Sequence, residues 1–148
     1  MRPRLWHHIL TGISGLSLLG VTVYTVIRYG SLDRIPTHFD GAGVADAYGH
    51  KSSLVMLIFL AWMLFGVLSA VAFLPPDAWS VPNRNPRTLA AAADMLAVMK
   101  LVTVLMFCWM ILCSVQGWNL GRWFLPVTMV GMFAPLLHLI IAAVRKKF

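Results

Sequence analysis

The sequence predicts an all-α fold: an integral membrane bundle of four transmembrane helices with an ordered extracytoplasmic first loop. Three observations carry that expectation. Of the 148 residues, 59% are hydrophobic and only 11% charged, whereas a soluble domain has about 45–50% apolar and about 25% charged residues. The mean hydropathy of +0.79 excludes both an ordinary soluble globule and a disordered chain. The apolar residues also gather into four runs, 9–27, 53–74, 95–115 and 123–144. Each is near the roughly 20 residues that cross a hydrocarbon core of about 30 Å. Lipid offers a bare backbone amide no partner, so each run has to be a helix. Residues 1–148 therefore read as a single four-span domain.

The first run follows MRPRLWHH. It is longer than the apolar core of a signal peptide, about 7–15 residues, and no small-x-small cleavage site follows it, so it reads as a retained span. His7 and His8 precede it and read as a solvated interfacial pair. The second run opens after Lys51, Ser52 and Ser53. The third helix is expected to begin before the membrane, because Asn85 can cap it and Pro86 suits a first helical position. The fourth run holds Pro126, which the first turn tolerates, and Pro135, which is interior and predicts a kink. Cys108 and Cys113 are five apart on one helix, point to different sides and read as packing residues. The many methionines read as gap-fillers rather than a copper site.

There are 12 basic residues against 5 acidic ones, and no glutamate. The basic residues sit at chain ends and in short loops, which is the pattern of anchoring beside anionic headgroups and not of a nucleic-acid stripe. Arg2, Arg4, Arg84, Arg87, Arg145, Lys146 and Lys147 fall on one side, and Arg28, Arg34, Lys51 and Arg122 on the other. The excess puts both termini and the second loop in the cytoplasm. Trp6, Trp79, Trp118 and Trp123 lie near span ends, as an aromatic belt requires.

The first loop, 28–52, is the one long polar segment. Ile35-Pro36 favours an extended entry, and Thr37-His38-Phe39 has strand character. Gly41, Gly43 and Gly49 permit positive φ and sharp turns, and Asp46 can accept backbone amides in such a turn. A linker does not need so many special residues, so a compact folded cap is expected. The string IPTHFDGAGVADAYGHK resembles the signature of a bacterial membrane family, domain-of-unknown-function family 1648, through Pro36, His38, Phe39, Gly43, Asp46, Gly49 and Lys51. The same domain opens immunity proteins of the SdpI type, which protect the producer of a secreted killing factor and can signal to a repressor. The resemblance implies a multi-pass protein of the bacterial plasma membrane, with an immunity or signalling role exercised through partner binding at 35–51.

Three readings of the cap stand side by side. It can be a structural turn. It can be a surface for a secreted peptide, a membrane protein or a lipid headgroup, with Phe39 as its apolar anchor. It can be a site for a divalent metal, since His38, Asp40, Asp46 and His50 carry imidazole and carboxylate ligands, although their spacing matches no established metal motif. Within the membrane, Lys100 lies about 9 Å below Asp94 at 1.5 Å per residue. It reads either as a snorkelling lysine or as an intramembrane site. Asp94 is six positions away, off the face of Lys100, and is expected to reach another helix. His138 reads as an interhelical hydrogen-bonding residue or as a member of a polar cluster with Lys100. No nucleophile motif, phosphate loop or zinc-protease motif is present. The leading expectation is therefore a non-enzymatic, cofactor-free protein. Its rival is a metal- or proton-dependent transporter or membrane enzyme. The bilayer is the first partner, and a bundle this small also suits a homodimer.

Overall fold

The computed structural model describes residues 4–75, 78–81 and 85–144. Arg2, Arg84, Arg145, Lys146 and Lys147, on which the orientation rests, lie outside the described residues. The element order is α1 (Leu5–Tyr29), β1 (Arg34–Phe39), β2 (Ala45–His50), α2 (Ser52–Ala72), α3 (Pro86–Gln116) and α4 (Phe124–Val144). All four helices are long and apolar enough to cross a membrane. The protein is an all-α membrane bundle, and its ordered first loop is a small two-stranded hairpin.

Local chemistry explains the ends. The Asn85 side chain accepts from the Thr88 amide at 2.8 Å, with Pro86 behind it, so α3 starts at the expected signal. Its other end closes on Gly117 at φ 68°, where glycine has no Cβ to strain. α3 is 31 residues long, about 46 Å at 1.5 Å per residue. That exceeds a hydrocarbon core of about 30 Å. α4 runs unbroken through Pro135.

α3 is the spine, packing against α1, α2, α4 and β1. Leu18, Leu54, Val104 and Ile111 are its fully buried neighbours or members, and Cys108 and Cys113 are buried free thiols. The inner face of α1 runs His7, Thr11, Ser14, Leu18, Val21, Thr25, spaced alternately four and three apart, which keeps one stripe toward the bundle. Trp62 of α2 donates its indole N–H to Thr22 of α1 at 3.1 Å. Large apolar side chains such as Leu16, Met56 and Val127 face outward, as a lipid-facing surface requires and a soluble one does not tolerate in such number.

β1 and β2 pair antiparallel, from Arg34 opposite His50 to Phe39 opposite Ala45, with irregularity around His38. The hairpin is anchored from below, where Ile35 and Pro36 are buried. It is tied from the side: Leu120, in the α3–α4 loop, donates its amide to the Gly43 carbonyl at 2.8 Å. The Asn119 side chain accepts from the Ala45 amide at 3.0 Å. Hairpin and loop share one end of the bundle; the start of α1, the end of α2 and the start of α3 form the other.

Gly43 carries that docking. Its φ is +75°, and a Cβ there would stand 2.6 Å from the Gly121 carbonyl oxygen. Gly43→Ala is expected to lower stability by at least about 1 kcal/mol from the left-handed backbone alone and to free the hairpin from the loop. Thermal unfolding in detergent, with amide exchange at residues 119–121, measures both.

Candidate functional site

Two clusters of polar side chains stand at opposite ends. At the hairpin end, the seven loop residues singled out in the sequence do different jobs. Pro36 is a buried anchor. His38 Nδ1 and Asp46 Oδ1 are 2.6 Å apart across the strands, both well exposed. Phe39 lines an apolar cavity of about 160 Å³ with Leu54, Met56, Leu57 and Met110. Gly49 leaves room for Thr37, whose methyl would stand 2.8 Å from an added Cβ. Lys51 donates to the Tyr29 carbonyl at 3.3 Å and sits over the Tyr29 ring. It thus places a cation at the carbonyl end of α1, where the helix dipole favours it.

Several loop expectations are corrected. The residue that organises the turn is Asp40, not Asp46: its carboxylate accepts from the Ala42 and Val44 amides at 2.9 and 2.8 Å. Its position at the first residue of the turn allows this, while Asp46 is already on β2 and pairs with His38. Of Gly41, Gly43 and Gly49, only Gly43 has positive φ; Gly49 is extended and is required for space. His50 Nδ1 meets the start of α2, accepting from the Ser52 amide at 3.2 Å. His38 and Asp46 therefore pair with each other, while Asp40 and His50 are each taken by backbone amides elsewhere. Among the described residues, no three His, Cys, Asp or Glu side chains are grouped so as to hold a metal.

At the other end, Asp94 reaches across to α1. Its carboxylate meets His7 Nε2 at 2.9 Å and Arg4 Nη1 at 3.5 Å. His7 is therefore not a solvated twin of His8, because α3 covers it. Thr11, one turn along α1, donates to the His7 carbonyl at 2.8 Å and accepts from Lys100 Nζ at 2.7 Å. Lys100 also reaches Ser69 of α2 at 3.4 Å and is only 3% exposed. It is thus buried between three helices. His138 is exposed on α4, while the partners of Lys100 are on α1 and α2, so the two form no cluster. His7, Thr11 and Ser69 are the site residues that the sequence alone did not single out. The alternating four-and-three spacing on α1 is the signal that places His7 and Thr11 on one face.

These side chains line a cavity of about 140 Å³ that includes Arg4, His7, Thr11, Ser69, Asp94 and Lys100 on its polar side. Its remaining wall is mostly apolar, from Ala72, Phe73, Leu74, Leu89, Ala93 and Ala97.

Fold and sites together define a small multi-pass membrane protein with a hairpin cap at one end and a charged cavity at the other. Residues 16–64 match the family model described as Domain of unknown function (DUF1648). The matched segment runs from α1 through the hairpin into α2. No curated protein and no solved structure matches the chain.

The His38–Asp46 pair is exposed, and such pairs contribute about 0.2–1 kcal/mol. A double-mutant cycle with His38→Ala and Asp46→Ala is therefore expected to give a coupling no larger than that in thermal unfolding. Asp94 is different. Losing hydrogen bonds to a charged, partly buried carboxylate costs about 1.5–3 kcal/mol, so Asp94→Ala is expected to destabilise the bundle by that order in the same assay.

Proposed function

We propose that this is a non-enzymatic binding protein of the bacterial plasma membrane, with both termini cytoplasmic. In this reading the hairpin is an extracytoplasmic cap that captures an extended segment of a secreted peptide or membrane protein. An SdpI-like immunity or signalling role follows as the biological use of that capture. One observation carries the proposal: β2 pairs only with β1 among the described residues, and it is exposed along most of its length. An uncovered strand edge offers a row of backbone donors and acceptors to another extended chain. Val44 and Tyr48, 45% and 53% exposed, supply apolar contacts beside it, and the Phe39 cavity lies beneath. His38 and Asp46 are exposed and add a polar grip. The anchoring of the hairpin by Ile35, Pro36, Gly43 and Lys51 supports the same reading, because a rigid edge loses little entropy on binding.

The rival transporter or enzyme would use Lys100 and His138, or a metal at His38, Asp40, Asp46 and His50. The engagement of Asp40 and His50 by backbone amides, and of Lys100 by hydroxyls on α1 and α2 rather than by α4, favours the binding reading.

A photoreactive side chain at Tyr48, activated in native membranes, is expected to give one discrete adduct with a peptide or protein. Val44→Asp is expected to reduce its yield about tenfold while leaving thermal unfolding unchanged. The same adduct from a lipid-facing position such as Val127, or none from a folded hairpin, would leave the cap a purely structural element. Loss of the adduct together with stability in His38→Ala would point the same way.

A further inference from the structure

The cavity at the end away from the hairpin holds a lysine with no ion-pair partner among the described residues. Lys100 is a buried ammonium whose partners are two hydroxyls, Thr11 Oγ1 at 2.7 Å and Ser69 Oγ at 3.4 Å. An ammonium has three donors, and a buried charge without a counter-charge is costly. Among the described residues, no carboxylate lies within ion-pair distance of it. Asp94 lines the same cavity but is already engaged by His7 and Arg4.

A second, independent feature points the same way. Trp79 lines this cavity, and its indole Nε1 is buried with no hydrogen-bond partner among the described residues. An indole N–H can only donate. Two donors, one of them cationic, therefore face a cavity short of acceptors. Arg4, more than half exposed, adds a further positive charge near the rim.

The shape narrows the class of acceptor. A volume of about 140 Å³ resembles that of a cavity known to take up one benzene. It holds a phosphate or carboxylate group but not a whole lipid. Phe73 and Leu74 stand exposed at its edge, 81% and 47%, and present apolar surface where acyl chains would pass. Lys100 is about 9 Å deeper than Asp94 along α3, and a hydrated free ion has to shed its water to reach that depth. A headgroup whose tails already lie in the hydrocarbon reaches it from the side.

We propose that this cavity binds the anionic headgroup of a membrane lipid from the adjacent leaflet. Lys100 and the Trp79 indole hold its phosphate, and Arg4 stands at the entrance. The basic residues Arg2, Arg84, Arg87, Arg145, Lys146 and Lys147, assigned to this end by the sequence, would enrich such lipids around the protein.

The full-length protein, reconstituted in vesicles of equal parts phosphatidylcholine and phosphatidylglycerol, is extracted and its retained lipid counted by native mass spectrometry. Wild type and Lys100→Arg are expected to retain one phosphatidylglycerol in preference to phosphatidylcholine. Lys100→Met is expected to weaken retention at least about tenfold. Trp79→Phe, which removes the indole donor but keeps an aromatic ring, is expected to weaken it several-fold at an unchanged unfolding temperature, which keeps the test valid if Lys100→Met misfolds. Equal retention by wild type, Lys100→Met and Trp79→Phe would overturn the site. Displacement of the lipid by inorganic phosphate, with phosphate binding lost in Lys100→Met, would overturn the lipid as its occupant.

Discussion

A backbone amide in hydrocarbon has no water to bond, and that single constraint organises the molecule. It makes every crossing segment a helix and leaves irregular structure only at the two ends. It also makes any polar side chain within the bundle dependent on a neighbour. α3 supplies most of those neighbours, since it alone packs on all three other helices and on β1. Its buried face carries the apolar core and, one level in from the end, Lys100.

The two ends meet this constraint differently. At one end, the chain leaves α1, folds back as a hairpin and enters α2. Its backbone is satisfied by strand pairing, by the Asp40 carboxylate and by the α3–α4 loop. Lys51 then closes the carbonyl end of α1. Polar groups here are mostly matched, and what is left over is a strand edge. At the other end, the polar groups run inward as a chain, from Arg4 and Asp94 through His7 and Thr11 to Lys100. In the outer part of that chain, Asp94 meets Arg4 and His7. In the inner part, among the described residues, Lys100 meets only hydroxyls. A charge at that deeper, more apolar level has the larger consequence.

Recruitment at one end and lipid contact at the other are compatible within one small bundle. α1 joins both: Tyr29 at its end accepts from Lys51, and His7 and Thr11 near its start face Asp94 and Lys100. A shift of α1 along α3 would disturb both clusters, since one helix carries partners for each.

The composition, the four apolar runs and the start of α3 at Asn85-Pro86 were all readable in the sequence, because helix formation in lipid depends on local apolarity and local caps. The folded first loop was readable too, from its glycines, Pro36 and strand-forming residues. The division of labour inside that loop was not. Asp40 and Asp46 are equivalent in a sequence, and only strand register decides that one caps the turn and the other meets His38. The same holds for His7 and His8, which differ only in the face of α1 they occupy, and for Lys100 and His138, two basic side chains within apolar helices in different settings. Periodicity along one helix states which residues share a face. Which helix that face meets depends on packing between segments far apart in the chain, and that packing alone separated Asp94, met by His7 and Arg4, from Lys100, held by the Thr11 and Ser69 hydroxyls.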